Sequence, residues 1–445
     1  MKENESKKKG TGESRRDFLK TKVFGGMVGM LGMPFLSWGT FNNQEVSTLK
    51  KSSFMQDGTV DWTAVKQQFT LEQGRYHFRT ASVGPSPKVV VDTVVDAMRD
   101  LESKGQNRHD FIKPVRNKIA TFLNTSADQI GMITNTTEGM NIVAQTVKLK
   151  AGDEVILSKD EHIGGAAPWL ALQKEIGIVI KLIELDPSGK KNLDIVKEAI
   201  TDKTKIVVIC HVTCTTGLVL PVRDIAAYCR KKGVLSCVDG AQSMGMIAVD
   251  LQEINPDFYV TSGHKWLFGP KGTGLIYMHK EILAQSDPVY AGAYTDSKFN
   301  LSTLTLEYKH TADRYEYGTR NTPITLGFGA AIDFMSTIGM QNIEKRGKEL
   351  ARYFKSEIRK HPGIELLTPE DEECTAAIVT VRIKGIDVVK RCSHIAYHDN
   401  VYMRGIYEND WNGIRLAFAI FNTKEEIDHA VQILKREIDN KSSNE

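Results

Sequence analysis

The 445-residue sequence predicts an α/β protein: a large domain with a mostly parallel sheet between helices, then a smaller C-terminal α+β domain. Three observations lead there. Short runs of Val, Ile and Leu, such as EVILS (154–158) and KIVVICHV (205–212), alternate with stretches whose apolar residues recur at helical spacing. Those runs are continuous rather than alternating, which marks strands buried on both faces, as in parallel sheets covered by helices. From about residue 335 strands arrive with few crossovers, so a second domain of another class follows.

The elements follow in order. After a linker to about residue 60, residues 86–104 and 109–124 show helical periodicity, and GMIT (131–134) is a short strand. A helix over 138–148 leads to EVILS, a helix near 165–176 and the strand VIKLIEL (179–185). Then come a helix near 192–200, KIVVICHV, a helix near 222–232, and the strands VLSCVD (234–239), FYVTS (258–262) and TGLIYM (273–278). The second part holds a long helix (340–360), IVTVRI (378–383), a helix (387–397), VYMR (401–404), IRLAFAIF (414–421) and a closing helix (423–438). The expected division is 1–45 for a signal and linker, 60–330 for the large domain and 331–445 for the small one. An N-terminal segment is expected to join the small domain.

Composition narrows the function. With 41% hydrophobic and 25% charged residues the chain is globular. A core of this size needs no disulfides, and the six cysteines form no CxxC pair and no metal-ligand spacing. The net charge of +3 resides at one end: residues 1–22 hold eight Lys/Arg and four Asp/Glu, leaving the remainder near −1. Such a body offers no basic surface for nucleic acid.

Ser14-Arg15-Arg16-Asp17-Phe18-Leu19-Lys20 precedes a Gly-rich apolar run from Val23 to Leu36. This resembles a twin-arginine export signal, so the export machinery is an expected partner and the periplasm the expected location. No clear A-x-A site follows, which leaves an uncleaved membrane anchor open.

In an open parallel sheet, chemistry gathers at the carboxyl ends of strands. Four junctions lie there: ITNTTEGMN, LSKDEHIGG, CVDGAQSMG and VTSGHKWLF. Asp239 ends one buried strand, and Lys265 follows the end of another 26 residues later. Right-handed crossovers would bring them into one crevice. A bare buried ion pair gives little net stability, so a ligand between them is the better account. Pyridoxal phosphate (PLP) needs a lysine for its aldehyde and a carboxylate for its pyridinium nitrogen. Its phosphate needs donors, and Thr136, Thr137 and Glu138 open a helix whose N–H groups attract an anion. Ser262 and His264 flank the lysine and serve the same phosphate. His162 is placed to stack on the ring, and Gln242 to reach the ring hydroxyl.

SGHK (262–265), VDGAQ (238–242), TTEG (136–139) and EH (161–162) stand in an order that resembles the class V aminotransferase group of fold-type I PLP enzymes. That group includes cysteine desulfurases and isopenicillin N epimerase, and the resemblance spans about 75–438. Each four-residue match alone carries little; the four in order carry the resemblance. It implies that Lys265 holds the cofactor covalently and that Lys265 and His162 are catalytic. It implies Asp239 on the ring nitrogen, Gln242 on the phenolic oxygen, and Thr137, Ser262 and His264 on the phosphate. Arg415, in GIRLAFAIF (413–421), matches the arginine that grips the substrate α-carboxylate, a task suited to a guanidinium fork. An amino acid is therefore the expected substrate. RYEYGTRNTP (314–323) resembles a segment that completes the neighbouring subunit's site, which implies a homodimer with Thr319 on the other protomer's phosphate. Arg320 would meet substrate or only the dimer interface. GPKGTG (269–274) lacks phosphate-loop spacing and leads into a strand, so it reads as a turn.

Transamination, epimerisation and elimination all begin when the freed Lys265 amine takes the Cα proton. Desulfurases of this group need a mobile nucleophilic cysteine before the carboxylate arginine. That region, YMRGIYENDWNG (402–413), has none. HVTCTTGLVLPV (211–222) and YGTRN (317–321) lean toward the epimerase-like branch, although Cys214 replaces its usual serine. Transamination or epimerisation is thus the expected reaction. A C–S lyase or desulfurase-like enzyme is the alternative, and a PLP-binding sensor or assembly protein the non-enzymatic one.

Overall fold

Seven strands form the central sheet of the computed structural model, which describes residues 54–442. The twin-arginine stretch lies outside the described residues. The strands are β1 (Ile130–Ile133), β2 (Glu154–Ser158), β3 (Val179–Ile183), β4 (Thr204–Cys210), β5 (Leu235–Asp239), β6 (Phe258–Ser262) and β7 (Gly274–Met278). Their spatial order is β1-β7-β6-β5-β4-β2-β3. β3, β2, β4, β5 and β6 pair in parallel, whereas β7 runs antiparallel to both β6 and β1. The reason is length. A parallel return needs a crossover of a dozen or more residues, and only 263–273 separate β6 from β7. The chain reverses there, and Lys265 sits in the reversal.

Before the sheet come α1 (Lys88–Lys104) and α2 (Ile112–Phe122), and between its strands lie α3 (Thr136–Thr146), α4 (Ile163–Ile176), α5 (Asn192–Ala199) and α6 (Val222–Lys232). Most boundaries fall within two residues of the expected ones. α3 starts earlier than its apolar pattern because a cap sets its first turn. Asn135 Oδ1 accepts the Glu138 N–H (3.0 Å) and Glu138 Oε2 accepts the Thr134 N–H (2.6 Å), a reciprocal capping arrangement.

Beyond β7 the chain forms α7 (Thr322–Ile338), α8 (Met340–Ile358), β8 (Glu365–Leu366), β9 (Ile378–Arg382), α9 (Val388–Asp399), β10 (Arg404–Ile406), β11 (Gly413–Ala417) and α10 (Lys424–Ser442). The second sheet is antiparallel in the order β8-β9-β11-β10. Helix α7 is absent from the sequence reading. It is apolar nearly all round and almost wholly buried, so it shows no amphipathic period. Its glycines bring it close to its neighbours: a Cβ on Gly327 would stand 2.4 Å from Val94 of α1, and one on Gly329 3.0 Å from Val115 of α2. The expected boundary near residue 330 falls inside this helix, and the apolar core continues through it from the large sheet to β9 and β11. An exposed hairpin, Asp296–Asn300 with Thr305–Tyr308, is also absent from the reading. Its Ser, Thr and charged residues give no buried-strand signal.

The segment before α1 ties the two sheets together. Tyr76 and His77 pair in parallel with Val401 and Tyr402, and the Ala417 N–H donates to the Phe78 carbonyl (3.0 Å). The chain then crosses to the large sheet, where the Gly84 N–H donates to the His264 carbonyl (2.8 Å). A Cβ at Gly84 would meet the Lys265 carbonyl at 2.1 Å, so only glycine passes here.

Candidate active site

The carboxyl ends of β1, β2, β4, β5 and β6, closed by residues 79–82 and 404, surround a cavity of about 650 Å³. That volume suits a cofactor-sized ligand. Lys265, Asp239, His162, Gln242, Thr136, Thr137, Ser262 and His264 all line it.

Asp239 is the last residue of β5 and is buried. Its Oδ1 accepts the Ala241 N–H (2.8 Å). Its Oδ2 lies 3.2 Å from where a Cβ on Gly165 would stand, so glycine keeps that oxygen uncovered. Lys265 makes no ion pair or side-chain hydrogen bond among the described residues. Burial pushes the Asp239 carboxyl up and the Lys265 amine down, and each charge partly restrains the other's shift. The two groups face one space and do not satisfy each other, which costs free energy unless something joins them.

At one end of the cavity the Thr136 N–H donates to Ser262 Oγ (3.0 Å), and the Thr136 and Ser262 hydroxyls share a hydrogen bond (2.7 Å). His264 Nδ1 is buried without a partner, and burial, then Lys265, lowers its pKa to about 4. Thr137 Oγ1 would stand 2.6 Å from a Cβ at Gly164, so this glycine lets the first turns of α3 and α4 approach. Two helix N-termini, three hydroxyls and an unpartnered imidazole make a cradle for a phosphate. His162 caps α4, its Nδ1 accepting the Gly164 N–H (3.1 Å). That bond leaves the proton on Nε2, and burial, then Lys265, lowers the pKa to about 4, so the ring is neutral and free to stack.

Other expected residues depart from their roles. Glu138 does not line the cavity: its carboxylate turns back to the Thr134 N–H and hydroxyl (both 2.6 Å), because capping consumes it. Gln242 lines the cavity, but one amide N–H donates to the Ala81 carbonyl (2.9 Å) and its oxygen accepts the Trp266 indole N–H (2.8 Å). Only one N–H remains for a ligand. Thr319 is exposed and away from this chain's cavity. Arg320 lies over the Tyr317 ring (4.6 Å) and donates to the Tyr315 carbonyl. Arg415, on β11, is 1% exposed and sits behind the cavity wall. It donates to the Cys214 carbonyl (2.7 Å) and to Ser82 Oγ (2.8 Å). Burial lowers its pKa to about 10, so it stays charged, with no carboxylate partner among the described residues.

The sequence reading missed several lining residues. Arg79 and Arg404 line the cavity from the small-sheet side, and Arg404 pairs with Glu408. Asp160 also lines the cavity, its Oδ1 accepting from Thr215 Oγ1 (2.6 Å) and Trp411 Nε1 (2.8 Å). Glu161, beneath Asp160, holds the Ser158 hydroxyl (2.8 Å) and the Cys210 N–H (2.9 Å) on Oε1. Its Oε2 is buried without a partner, and burial, then Asp239, pushes its pKa up to about 8. The acidic pair beside His162 was the only signal for Asp160 and Glu161. Nothing local marks Arg79.

Comparison with known proteins places these features. Residues 85–430 match the family model described as aminotransferase class-V. A cysteine desulfurase of Salmonella newport (strain SL254) is 31% identical over 352 residues, covering 76% of this chain and 85% of that protein. The apo structure of a cysteine desulfurase from Thermococcus onnurineus NA1 shares the fold with a TM-score of 0.78 at 23% identity, covering 85% of this chain and 98% of that one. A C-DES mutant with glycine covalently linked to its PLP cofactor gives the same TM-score at 24% identity, covering 83% and 98%. This chain belongs to the class-V aminotransferase family and is a PLP-dependent enzyme. The cavity fits that cofactor at both ends: an uncovered buried carboxylate oxygen and an unpaired lysine at one, the hydroxyl and imidazole cradle at the other.

Proposed function

We propose that this enzyme breaks the Cβ–S bond of a sulfur-containing amino acid by elimination, as a C–S lyase, without passing sulfur to a protein thiol. The observation that carries this reading is the state of the thiols at the site. Cys210 and Cys214 line the cavity, and burial pushes the Cys214 thiol up to about 11 and Cys210 well above its ordinary value. Neither supplies a thiolate at neutral pH. Residues 407–412, tied down through Trp411 to Asp160, carry no cysteine. The desulfurase relative supports carbon–sulfur chemistry over transamination or epimerisation, and the missing thiol supports elimination over sulfur transfer.

Bound PLP supplies an electron sink that lets a bond at the substrate Cα break. In this reading Lys265 would hold the cofactor's aldehyde and Asp239 its ring nitrogen, whose protonated form a neighbouring anion favours. Thr136, Thr137, Ser262 and His264 hold the phosphate, and the neutral His162 ring covers the cofactor's face. Arg415 stands behind the wall at Cys214 and Ser82, and its charge draws the α-carboxylate to that end of the cavity, which orients Cα. Lys265 Nζ, lowered in pKa by burial, would take the Cα proton. The ammonium so formed is the proton source for the departing sulfur. For cysteine the balance is one water consumed, with pyruvate, ammonia and hydrogen sulfide released.

The test is product analysis with L-cysteine and S-substituted cysteines. Sulfide or thiol released in step with pyruvate supports the reading. Alanine with a persulfide on the enzyme, a keto acid that retains sulfur, or the enantiomer alone would each overturn it. Two further expectations stand as proposals: export through Arg15-Arg16, and a homodimer in which Thr319 reaches the other subunit's phosphate site. Arg15/Arg16→Lys in a residue 1–45 reporter fusion should abolish export, and sedimentation should show a dimer.

A further inference from the structure

Beside Asp239 stands a second buried carboxyl, that of Glu161, in the loop between β2 and α4. Its Oε1 already accepts two donors, the Ser158 hydroxyl of β2 (2.8 Å) and the Cys210 N–H of β4 (2.9 Å). Its Oε2 is buried with no partner. A Cβ on Gly165, in the first turn of α4, would stand 3.7 Å from Glu161 Oε2 and 3.2 Å from Asp239 Oδ2. The two oxygens therefore converge on one point that glycine leaves clear. The strands hold them there, since Cys210, which fixes Glu161, is the register partner of Asp239.

Two buried carboxyls this close do not both ionise; the pair holds one proton. Their surroundings decide which keeps it. Lys265 and the Ala241 N–H favour the Asp239 anion, whereas Asp239 adds to burial in raising Glu161 to about 8. The proton therefore belongs to Glu161. With Oε1 taken by two donors, it sits on Oε2. The other titratable groups around Glu161 do not compete for it. Burial pushes the Cys210 and Cys237 thiols well above their ordinary value, so they stay neutral. Asp160 is engaged by Thr215 and Trp411, and His162 is neutral.

We propose that Glu161 is a positioning residue for the cofactor: its Oε2–H donates to Asp239 Oδ2, aligning that carboxylate and weakening it as a base toward the ring nitrogen. This rests on the reading of Asp239 as the ring nitrogen's partner and is independent of which substrate bond breaks. While Glu161 keeps its proton, Asp239 holds the ring proton less tightly than a bare carboxylate does. When Glu161 ionises, Asp239 loses its donor and a second negative charge stands nearby, so the ring nitrogen holds its proton more tightly.

Enzyme loaded with PLP carrying nitrogen-15 in the ring tests this by NMR across the neutral and alkaline range. As pH rises, the native resonance should move toward the pyridinium position, the reverse of a ring nitrogen losing its own proton. Glu161→Gln keeps the acceptor at Oε1 and a neutral donor in place of Oε2–H. Its resonance should stay at the native enzyme's low-pH position throughout. A native resonance that is flat or moves toward neutral pyridine overturns the proposal, as does a step that persists in Glu161→Gln. Asp239→Asn separates the premise from the proposal: if it leaves the native resonance unmoved, Asp239 is not the partner and both fail. In cofactor-free protein at neutral pH, infrared difference spectra should show that Glu161→Gln deletes one protonated-carboxyl stretch. No such loss, in a variant whose circular dichroism is native, also overturns the proposal.

Discussion

The two walls of the cavity are built on opposite principles. On the large-sheet wall, Asp239, Thr136, Ser262 and His162 follow strand ends or open helices, each held by a backbone or capping hydrogen bond. On the facing wall, Arg79 comes from an N-terminal segment and Arg404 and Arg415 from a sheet more than 300 residues later. Among the described residues their charges have one carboxylate partner, Glu408. On the proposed reading the first wall is preorganised for a ligand that never changes, the cofactor, and the second is a set of donors awaiting a ligand that varies, the substrate. A preorganised wall costs no reorganisation when the reaction occurs, whereas an incompletely paired one gains its partner only on binding.

Lys265→Ala should show the largest effect. On the proposed reading it removes both the covalent anchor and the base, and activity should fall about 10³-fold or more. The visible band of the native enzyme should disappear with it, and borohydride should no longer fix cofactor to the chain. Arg415→Gln tests the facing wall. The ratio kcat/KM should fall about 100-fold, as expected for a lost charge-assisted pair. Thermal stability should hold or rise, because a buried guanidinium without a carboxylate is removed. A large loss of stability would show that this arginine is structural and erase the contrast between the walls.

Glu161→Gln probes the large-sheet wall through pH. The raised pKa means that the folded chain favours the protonated carboxyl. This group's contribution to stability is therefore fully present below about pH 4.5 and is lost as pH rises toward about 8. In cofactor-free protein, urea titrations should show that decline in the native chain, by about 3 to 5 kcal/mol across the window. Glutamine keeps the neutral shape and should flatten it. A parallel decline in both proteins would place the pH effect elsewhere. The smallest effect is expected from Trp411→Phe. It deletes the indole bond to Asp160 and should raise KM a few-fold, near the ~1 kcal/mol of one hydrogen bond, with kcat little changed.

The legibility of this chain in its sequence divides along the same line. The parallel strands and their helices were readable because continuous Val/Ile/Leu runs report burial on two faces. The cofactor wall was readable because strand ends carry local signatures, and VDGAQ and SGHK each place a residue without reference to distant parts. Helix α7 was not readable, since an all-round apolar helix has no periodicity. Glu138 was misassigned because an acid three residues after Asn135 serves a cap equally well. Thr319 and Arg320 do not enter this chain's cavity.

By itself the sequence determined the α/β architecture and brought Lys265, Asp239 and the Thr136, Thr137 and Ser262 hydroxyls to one sheet edge, because these depend on contacts near in the chain or on strand order. Tertiary structure alone decided that Arg415 stands behind the wall and that Arg79 joins Arg404 in lining the cavity. Those are meetings of residues hundreds apart, brought together by the pairing of Tyr76–His77 with Val401–Tyr402, and no short stretch of sequence encodes them.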